Sequence, residues 1–185
     1  MLRKLALALV VALAFGSTAW AQSADHDARL RLFRSVQKQI LTYGNFTIFD
    51  SVDARVSEDG SVELIGKVTM PYKRNEIERR IADAPGVIRV DNKIEVLRVS
   101  QYDDDLRFRI ARAIYSNANF WAYGSMANPP IHVIVDGGTV TLQGVVNNDV
   151  DRMLARAIAS SFMSLGQVKN ELKTDAEVKN LLEQL

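Results

Sequence analysis

An internal repeat constrains the fold of this chain more than any other feature of its sequence. The segment 60–68 (GSVELIGKV) matches the segment 138–146 (GTVTLQGVV) at an offset of 78 residues, and the same offset relates further residues on both sides. A unit of this length is too long for most solenoid repeats and long enough for a small domain. The sequence therefore predicts two tandem domains, at residues 27–98 and 103–175.

The composition is that of a globular protein and excludes several functional classes. Hydrophobic residues make up 48% and charged residues 24% of the chain. Lys and Arg total 23 against 22 Asp and Glu, so there is no basic excess to neutralise phosphates and we expect no nucleic-acid partner. The absence of cysteine excludes disulfides, thiol nucleophiles and an acylated lipoprotein anchor.

The N-terminus has the features of a cleavable signal peptide. Arg3 and Lys4 precede an apolar run, 5–15, and small residues follow it up to Ala21. The apolar run is much shorter than the roughly 20 residues that a membrane-spanning helix needs. We therefore expect residues 1–21 to be removed and the mature protein to be periplasmic.

Each copy has the same predicted order of elements, α-β-β-α-β. The apolar residues of the opening segments recur at helical spacing, with Asp25 or Asp27 as the N-cap in copy one and the run 103–105 in copy two. A hairpin, a second helix and a final strand follow. We expect an α+β fold in which a three-stranded mixed sheet carries two helices on one face.

A short C-terminal helix is predicted beyond copy two. Thr174 and Glu177 have the spacing of a capping box, and apolar residues recur through 176–185. So short a helix is marginal in water, so we expect it to pack on its own domain.

Glycine-framed hairpins, an arginine near the start of the second helix and a closing Val-x-Asn occur in both copies. The residues are Gly60, Gly66, Arg74, Val90 and Asn92 in copy one, and Gly138, Gly144, Arg152, Val168 and Asn170 in copy two. This pattern resembles that of BON domains, and we assign its four glycines to turns. The pair behind a leader is similar to the dual-BON periplasmic proteins, which include osmotically inducible and outer-membrane-associated, lipid-binding members. The resemblance implies non-enzymatic binding of phospholipid or envelope surfaces and a role in envelope maintenance under stress.

The residues themselves indicate no catalytic, metal or cofactor site. The chain has two histidines, His26 and His132, and neither has a neighbour at metal-ligand spacing. We interpret His132 as a half-buried strand residue. The acidic run 103–105 fits a helix N-cap with surplus solvated charge better than a calcium loop. No serine lies in a nucleophile-elbow sequence.

A candidate lipid-binding surface lies at the start of copy two, where basic residues on a helix are followed by aromatic residues. Cations suit phosphate headgroups and amphipathic rings suit the membrane interface, so this set predicts binding to anionic phospholipid. Alternatively, the rings close the domain core and the arginines form a solvated face. The set is Arg107, Arg109, Arg112, Phe120, Trp121 and Tyr123.

The first strand of copy two is more apolar than its counterpart in copy one. Asp53, Arg55 and Ser57 lie on one strand face of copy one, as expected for a sheet face open to water. At the 78-residue offset, the matching residues of copy two on this predicted outward face are Ile131, Val133 and Val135. We therefore expect this face of copy two to be covered by the first domain, the C-terminal helix or another molecule. Alternatively, the strand is buried on both faces within its own domain. A second functional hypothesis follows, in which exposed apolar sheet surface binds unfolded envelope proteins as a chaperone does.

Overall fold

The computed structural model describes residues 17–163 and 168–183 and contains two successive α-β-β-α-β units. Residues 1–16 of the predicted signal peptide and residues 184–185 of the predicted C-terminal helix lie outside this range. The first unit consists of α1 (Ser17–Leu41), β1 (Ser51–Val56), β2 (Ser61–Val68), α2 (Pro71–Ala82) and β3 (Arg89–Val96). The second consists of α3 (Gln101–Tyr115), a 3₁₀ turn (Ala118–Phe120), α4 (Trp121–Gly124), β4 (Ile131–Asp136), β5 (Thr139–Val146), α5 (Asp149–Ser160), β6 (Val168–Thr174) and α6 (Asp175–Glu183).

Each unit forms one three-stranded mixed sheet, which confirms the predicted α+β fold. The orders are β1-β2-β3 and β4-β5-β6. The first pair of each sheet is antiparallel and the second pair is parallel. A helix, α2 or α5, connects the parallel strands, as a crossover between parallel strands requires. The first and last strands are therefore the edges of each sheet.

Each unit has its own hydrophobic core, as two separate domains should have. Alternate residues of β2, including Val62 and Leu64, pack with Ile77 and Ile81 of α2 and with Val36 of α1. The corresponding side chains of β4, β5, α3 and α5 form a second cluster. Burial of one face of each sheet follows from the period-two alternation of its strands.

Two of the four predicted turn glycines lie in turns, and two do not. Gly60 and Gly138 adopt left-handed φ values of 78° and 74° in the hairpin turns. Gly66 and Gly144 lie within β2 and β5 instead, so their assignment to turns is wrong. A Cβ at either position would come within 2.0 Å or 1.9 Å of a carbonyl oxygen of the adjacent backbone. These glycines are required by close contact between strands.

The strand-face comparison between the two copies is wrong by one residue, because the first hairpin is longer than the second. Val56 pairs with Val62 in the first hairpin, whereas Val135 pairs with Val140 in the second. Before the turn the two copies therefore match at an offset one residue larger than after it. A shift of one residue moves every strand side chain to the opposite face. Three residues predicted to face outward belong to the core instead: Ile131, Val133 and Val135.

The outer face of β4 nevertheless carries one covered apolar residue. Ile134 is only 4% exposed and yet belongs to neither core cluster. Two first-domain residues contact its strand neighbours, Phe46 at His132 and Ile48 at Val133. We infer that the first domain provides the cover.

The acidic residues predicted to be the N-caps of the opening helices do not occupy the N-cap positions. Helix α1 begins at Ser17, so Asp25 and Asp27 lie inside it. Ser100 caps α3, accepting a hydrogen bond from the Asp103 backbone at 3.2 Å. The Asp103 carboxylate is buried, not solvated, and accepts hydrogen bonds from two successive backbone N–H groups of the β4–β5 turn, both at 2.8 Å. This contact fixes the hairpin to the start of α3.

Helix α6 follows β6 directly. Thr174 and Glu177 make both hydrogen bonds of the predicted capping box, at 2.8 Å and 3.3 Å. Glu177 also pairs with Arg152 of α5 at 2.9 Å, which connects α6 to its own domain. Within the described residues, no helix has the length and apolar character needed to cross a membrane.

Candidate functional site

Arg107 does not belong to an exposed surface, which corrects its assignment to the lipid-binding set. Its side chain is buried beside β4 and donates a hydrogen bond to the carbonyl oxygen of Val135 at 3.0 Å. It also forms an ion pair with Asp104 at 3.0 Å. This arginine holds α3 against the edge of the sheet.

Phe120 and Tyr123 are also buried, so the alternative interpretation, closure of the core, is correct for these two rings. Phe120 lies within the second core. The Tyr123 hydroxyl donates to Asp151 at 2.7 Å and accepts from the backbone N–H of Asn147 at 2.8 Å. Burial raises the pKa of Tyr123 to about 12, with a further contribution from the Asp151 carboxylate. Tyr123 is therefore a neutral structural group.

Three members of the predicted set remain exposed, and we call them the α3–α4 surface: Arg109, Arg112 and Trp121. The Trp121 side chain is 74% exposed at the start of α4. Arg109 and Arg112 are exposed one turn apart on α3, and neither forms an ion pair within the described part of the chain. Helices α3 and α4 contact each other. The structure thus places an exposed indole and two arginines that form no ion pair with the described residues on adjoining helices.

The open edge of β4 is covered by hydrogen bonds from three places. The Tyr115 hydroxyl contacts both backbone groups of Ile131, at 2.6 Å and 3.0 Å, and Arg107 contacts Val135. Between them, the N–H of Val133 donates to the carbonyl oxygen of Ile48 in the first domain at 2.8 Å. An uncovered edge strand is a template for unwanted strand pairing. The sequence offered no sign of this arrangement, because its partners are distant along the chain.

The two domains meet along this edge through aromatic contacts. The Phe46 ring lies against His132 with centroids 5.5 Å apart, and Phe49 packs edge-to-face on Phe108 of α3 at 4.7 Å. Such pairs add about 0.5–1.5 kcal/mol to the burial of their area.

An ion cluster supports the same contact. Lys67 and Arg98 of the first domain bind Asp136 of β4 at 2.5 Å and 2.9 Å. Hydrogen bonds from Lys67 and then Arg98 hold the pKa of Asp136 below its ordinary value. Asn128 of the second domain also donates a hydrogen bond to the carbonyl oxygen of Leu41 at 2.9 Å. The part of the interface formed by the segment 46–49, the Phe108 and His132 rings and the Asp136 cluster is called the domain contact below.

A buried ion pair holds the segment 46–49 in place on the first domain. Asp50 accepts hydrogen bonds from Lys73 at 2.6 Å, from the backbone and hydroxyl of Thr69 at 2.7 Å and 2.8 Å, and from Thr47. Asp50 is fully buried and Lys73 is only 4% exposed. Every oxygen of this carboxylate is thus satisfied, which makes the loop rigid.

The second domain fills the equivalent place with different chemistry. At the 78-residue offset, Asp151 replaces Lys73 and Asn147 replaces Thr69. Tyr123 makes the contacts that Asp50 makes in the first domain. Its hydroxyl accepts a hydrogen bond from the Asn147 backbone and donates one to Asp151. Each domain thus ties its loop to the following helix with a different pair of residues.

Within the described residues, no group of three or more His, Asp or Glu side chains is arranged to hold a metal ion. His132 is a half-buried strand residue, as the sequence analysis predicts.

These observations define a two-domain α+β protein built from duplicated units that have separate cores and contact each other. Its second domain presents the α3–α4 surface to solvent. The BON domain model matches residues 32–98 and 102–176, and the chain belongs to the BON domain family.

The solved structures similar to this chain include two of CdsD, a structural protein of the type III secretion system of Chlamydia trachomatis. One, of its C-terminal domain, is 15% identical with a TM-score of 0.32, covering 82% of this chain and 68% of that one. The other is 13% identical with a TM-score of 0.31, covering 84% of this chain and 99% of that one. None of the curated proteins matches the chain.

Proposed function

We propose that this tandem BON protein is a periplasmic envelope-maintenance protein that binds anionic phospholipid weakly through the α3–α4 surface. The observation that carries the proposal is the 74% exposure of Trp121 next to a helix with two exposed arginines that form no ion pair in the described part of the chain. A large apolar ring in water has no stabilising role in its own domain, whereas tryptophan is favoured at membrane interfaces. The predicted signal peptide supports the location.

The size of this surface limits the affinity. Each arginine near an anionic membrane contributes about 1 kcal/mol, and this attraction decreases within a Debye length. Two arginines and one indole therefore support peripheral, reversible and salt-sensitive association.

We propose that the chain binds its target without catalysing a reaction. BON domains are generally non-enzymatic. Covalent catalysis needs a nucleophile with a base in hydrogen-bonding reach. The tyrosines at 115 and 123 are both engaged in structural hydrogen bonds, and burial raises the pKa of Tyr123 to about 12.

The chaperone-like alternative has less support. It needs exposed apolar sheet surface, but the outer face of the first sheet carries an ion network of Arg55, Glu63 and Lys93. In the second sheet, Ile134 is covered.

Liposome co-sedimentation tests the proposal. We expect the full chain to bind vesicles containing anionic phospholipid more than vesicles of zwitterionic lipid alone. Combined Arg109→Glu and Arg112→Glu should weaken binding about tenfold or more and make the residual binding less salt-sensitive, because screened attraction is lost. Trp121→Ala should weaken binding without changing its salt dependence.

The first domain offers matched controls for these variants. Tyr72 is a half-exposed aromatic residue and Arg79 is an exposed basic residue, both on α2. Tyr72→Ala and Arg79→Glu should leave binding near that of the unmodified chain. Equal loss from the controls, or full binding by the α3–α4 variants, would contradict the site. Suppression of protein aggregation without vesicle binding would favour the chaperone-like function instead.

A further inference from the structure

His132 is an ionisable side chain at the centre of the domain contact. It lies on the outer face of β4, where the Phe46 ring of the first domain packs against it. Its neighbour Val133 donates to Ile48 of the same first-domain segment. The Nδ1 atom of His132 is shielded from solvent and has no hydrogen-bond partner in the described structure. The ring is therefore packed in its neutral form.

The charged groups around this ring are largely engaged with other partners. On the first domain, the Asp50 carboxylate pairs with Lys73 of α2, and Asp53 of β1 is exposed. On β4, Asp136 is bound by Lys67 and Arg98. The residue paired with His132 on β5 is Gln143, which carries no charge.

The balance of these effects disfavours a proton on the docked ring. Burial lowers the pKa of His132, while the backbone of Asp50 and Thr47 and the carboxylates of Asp50 and Asp53 act in the opposite direction. A group with a lowered pKa in the docked state contributes its full stabilisation above its ordinary value of about 6.5. This stabilisation is lost as the pH falls below that value. Asp136 remains ionised over the same range, because its pKa is lowered.

We propose that the contact between the two BON domains is an acid-sensitive latch, in which a proton on His132 releases the first domain from β4. The protonated imidazole has two N–H donors, and the Nδ1 atom is shielded from solvent without a hydrogen-bond partner in the described, docked arrangement. A buried donor without a partner is costly, so the proton and the domain contact compete. This proposal does not depend on lipid binding.

The stretch 97–100 is the place where the domains can hinge. It joins β3 to α3, and Val99 within it is fully exposed. Leu97 remains buried on the first domain and Ser100 caps α3, so only two residues need to change conformation. Opening would expose Ile134 and the N–H of Val133, which are covered only in the closed state.

Fluorescence transfer between the domains tests the latch. The chain has no native cysteine, so Arg79→Cys on α2 and Arg156→Cys on α5 give two labelling sites at exposed positions. We expect transfer efficiency to change reversibly between about pH 7.5 and about pH 5, the range in which histidine titrates. Small-angle scattering should show a larger radius of gyration at the acid end, and circular dichroism should show that both domains stay folded.

Variants of the two histidines separate the latch from general acid effects. His132→Gln and His132→Phe remove the proton acceptor and should abolish the acid transition, whereas His26→Gln should retain it at the same midpoint. An unchanged interdomain distance in acid would overturn the proposal. So would an acid transition that persists in both His132 variants, or one that coincides with loss of secondary structure.

Discussion

Lys73→Met is expected to destabilise the first domain by about 3–5 kcal/mol, the cost of leaving one partner of a buried ion pair alone. Asp50 is fully buried and would lose the ammonium group 2.6 Å away. Donors from Thr47 and Thr69 would remain, but they carry no charge to compensate the carboxylate. Urea unfolding followed by circular dichroism measures the change.

The ion pair should also make stability depend on pH. Burial alone would raise the pKa of Asp50, but hydrogen bonds from Lys73 and Thr69 hold it below its ordinary value. A carboxylate with a lowered pKa stabilises the fold above the unfolded-state pKa, and this contribution is lost as the pH falls through the folded-state pKa. The pH dependence of unfolding below about pH 4 should therefore be weaker in Asp50→Asn than in the unmodified chain.

Two further variants show whether the ion pair causes the effect of Lys73→Met. The double variant Asp50→Asn, Lys73→Met removes both charges and should recover part of the lost stability. Arg79→Met, on the exposed side of the same helix, should change stability by less than about 0.5 kcal/mol. A Lys73→Met protein as stable as the Arg79→Met control would show that the pair is not buried as described.

Phe120→Ala should cost the second domain about 3–5 kcal/mol, whereas Trp121→Ala should cost less than about 0.5 kcal/mol. The two rings are adjacent in sequence but opposite in environment, since Phe120 is fully buried and Trp121 is mostly exposed. Removing a buried ring loses its burial and leaves a cavity, and removing an exposed one does neither.

Thermal and urea unfolding of both variants test this contrast. The buried ring belongs to the second core alone, so Phe120→Ala should lower the second domain's transition more than that of the first. Phe120→Leu, which retains much of the apolar volume, should recover part of the loss. Equal destabilisation by Phe120→Ala and Trp121→Ala would contradict the burial that the structure assigns to them.

The order of elements and the two cores were predictable because they depend on local periodicity. Alternation around Val62 and Leu64 indicates a strand with one buried face, and the spacing of Ile77 and Ile81 indicates a helix with one buried face. The repeat strengthens the prediction of each element, because two different sequences must both be compatible with it.

The turn length and the polar contacts were not predictable in this way. The unequal hairpins shift β4 by one residue, and one extra turn residue leaves no mark on the alternation itself. Asp103 accepts hydrogen bonds from a turn more than thirty residues away, and Asp50, just before β1, pairs with Lys73 in the first turn of α2. Nothing in local spacing distinguishes such residues from solvated charges.

The sequence indicated the region of the candidate site but not which of its side chains are exposed. A run of aromatic residues after a basic helix singled out this region, but which rings face the core depends on how α4 turns back toward α5. The Tyr123 ring is buried and its hydroxyl is hydrogen-bonded to Asp151 and Asn147, whereas Trp121, two residues earlier, is exposed.

The bond between Ile48 and Val133 has a consequence for the order in which the chain becomes structured. Synthesis proceeds from the N-terminus, so the first domain is complete before β4 exists. Asp50 and Lys73 have by then fixed the segment that will cover the β4 edge. The segment that covers this part of β4 is therefore in place before the second domain folds. The second domain expressed alone would keep the Tyr115 and Arg107 contacts but would expose the N–H of Val133 on its edge strand and the apolar Ile134 to its neighbours. The duplication thus lets the earlier copy protect the later one from aggregation during folding.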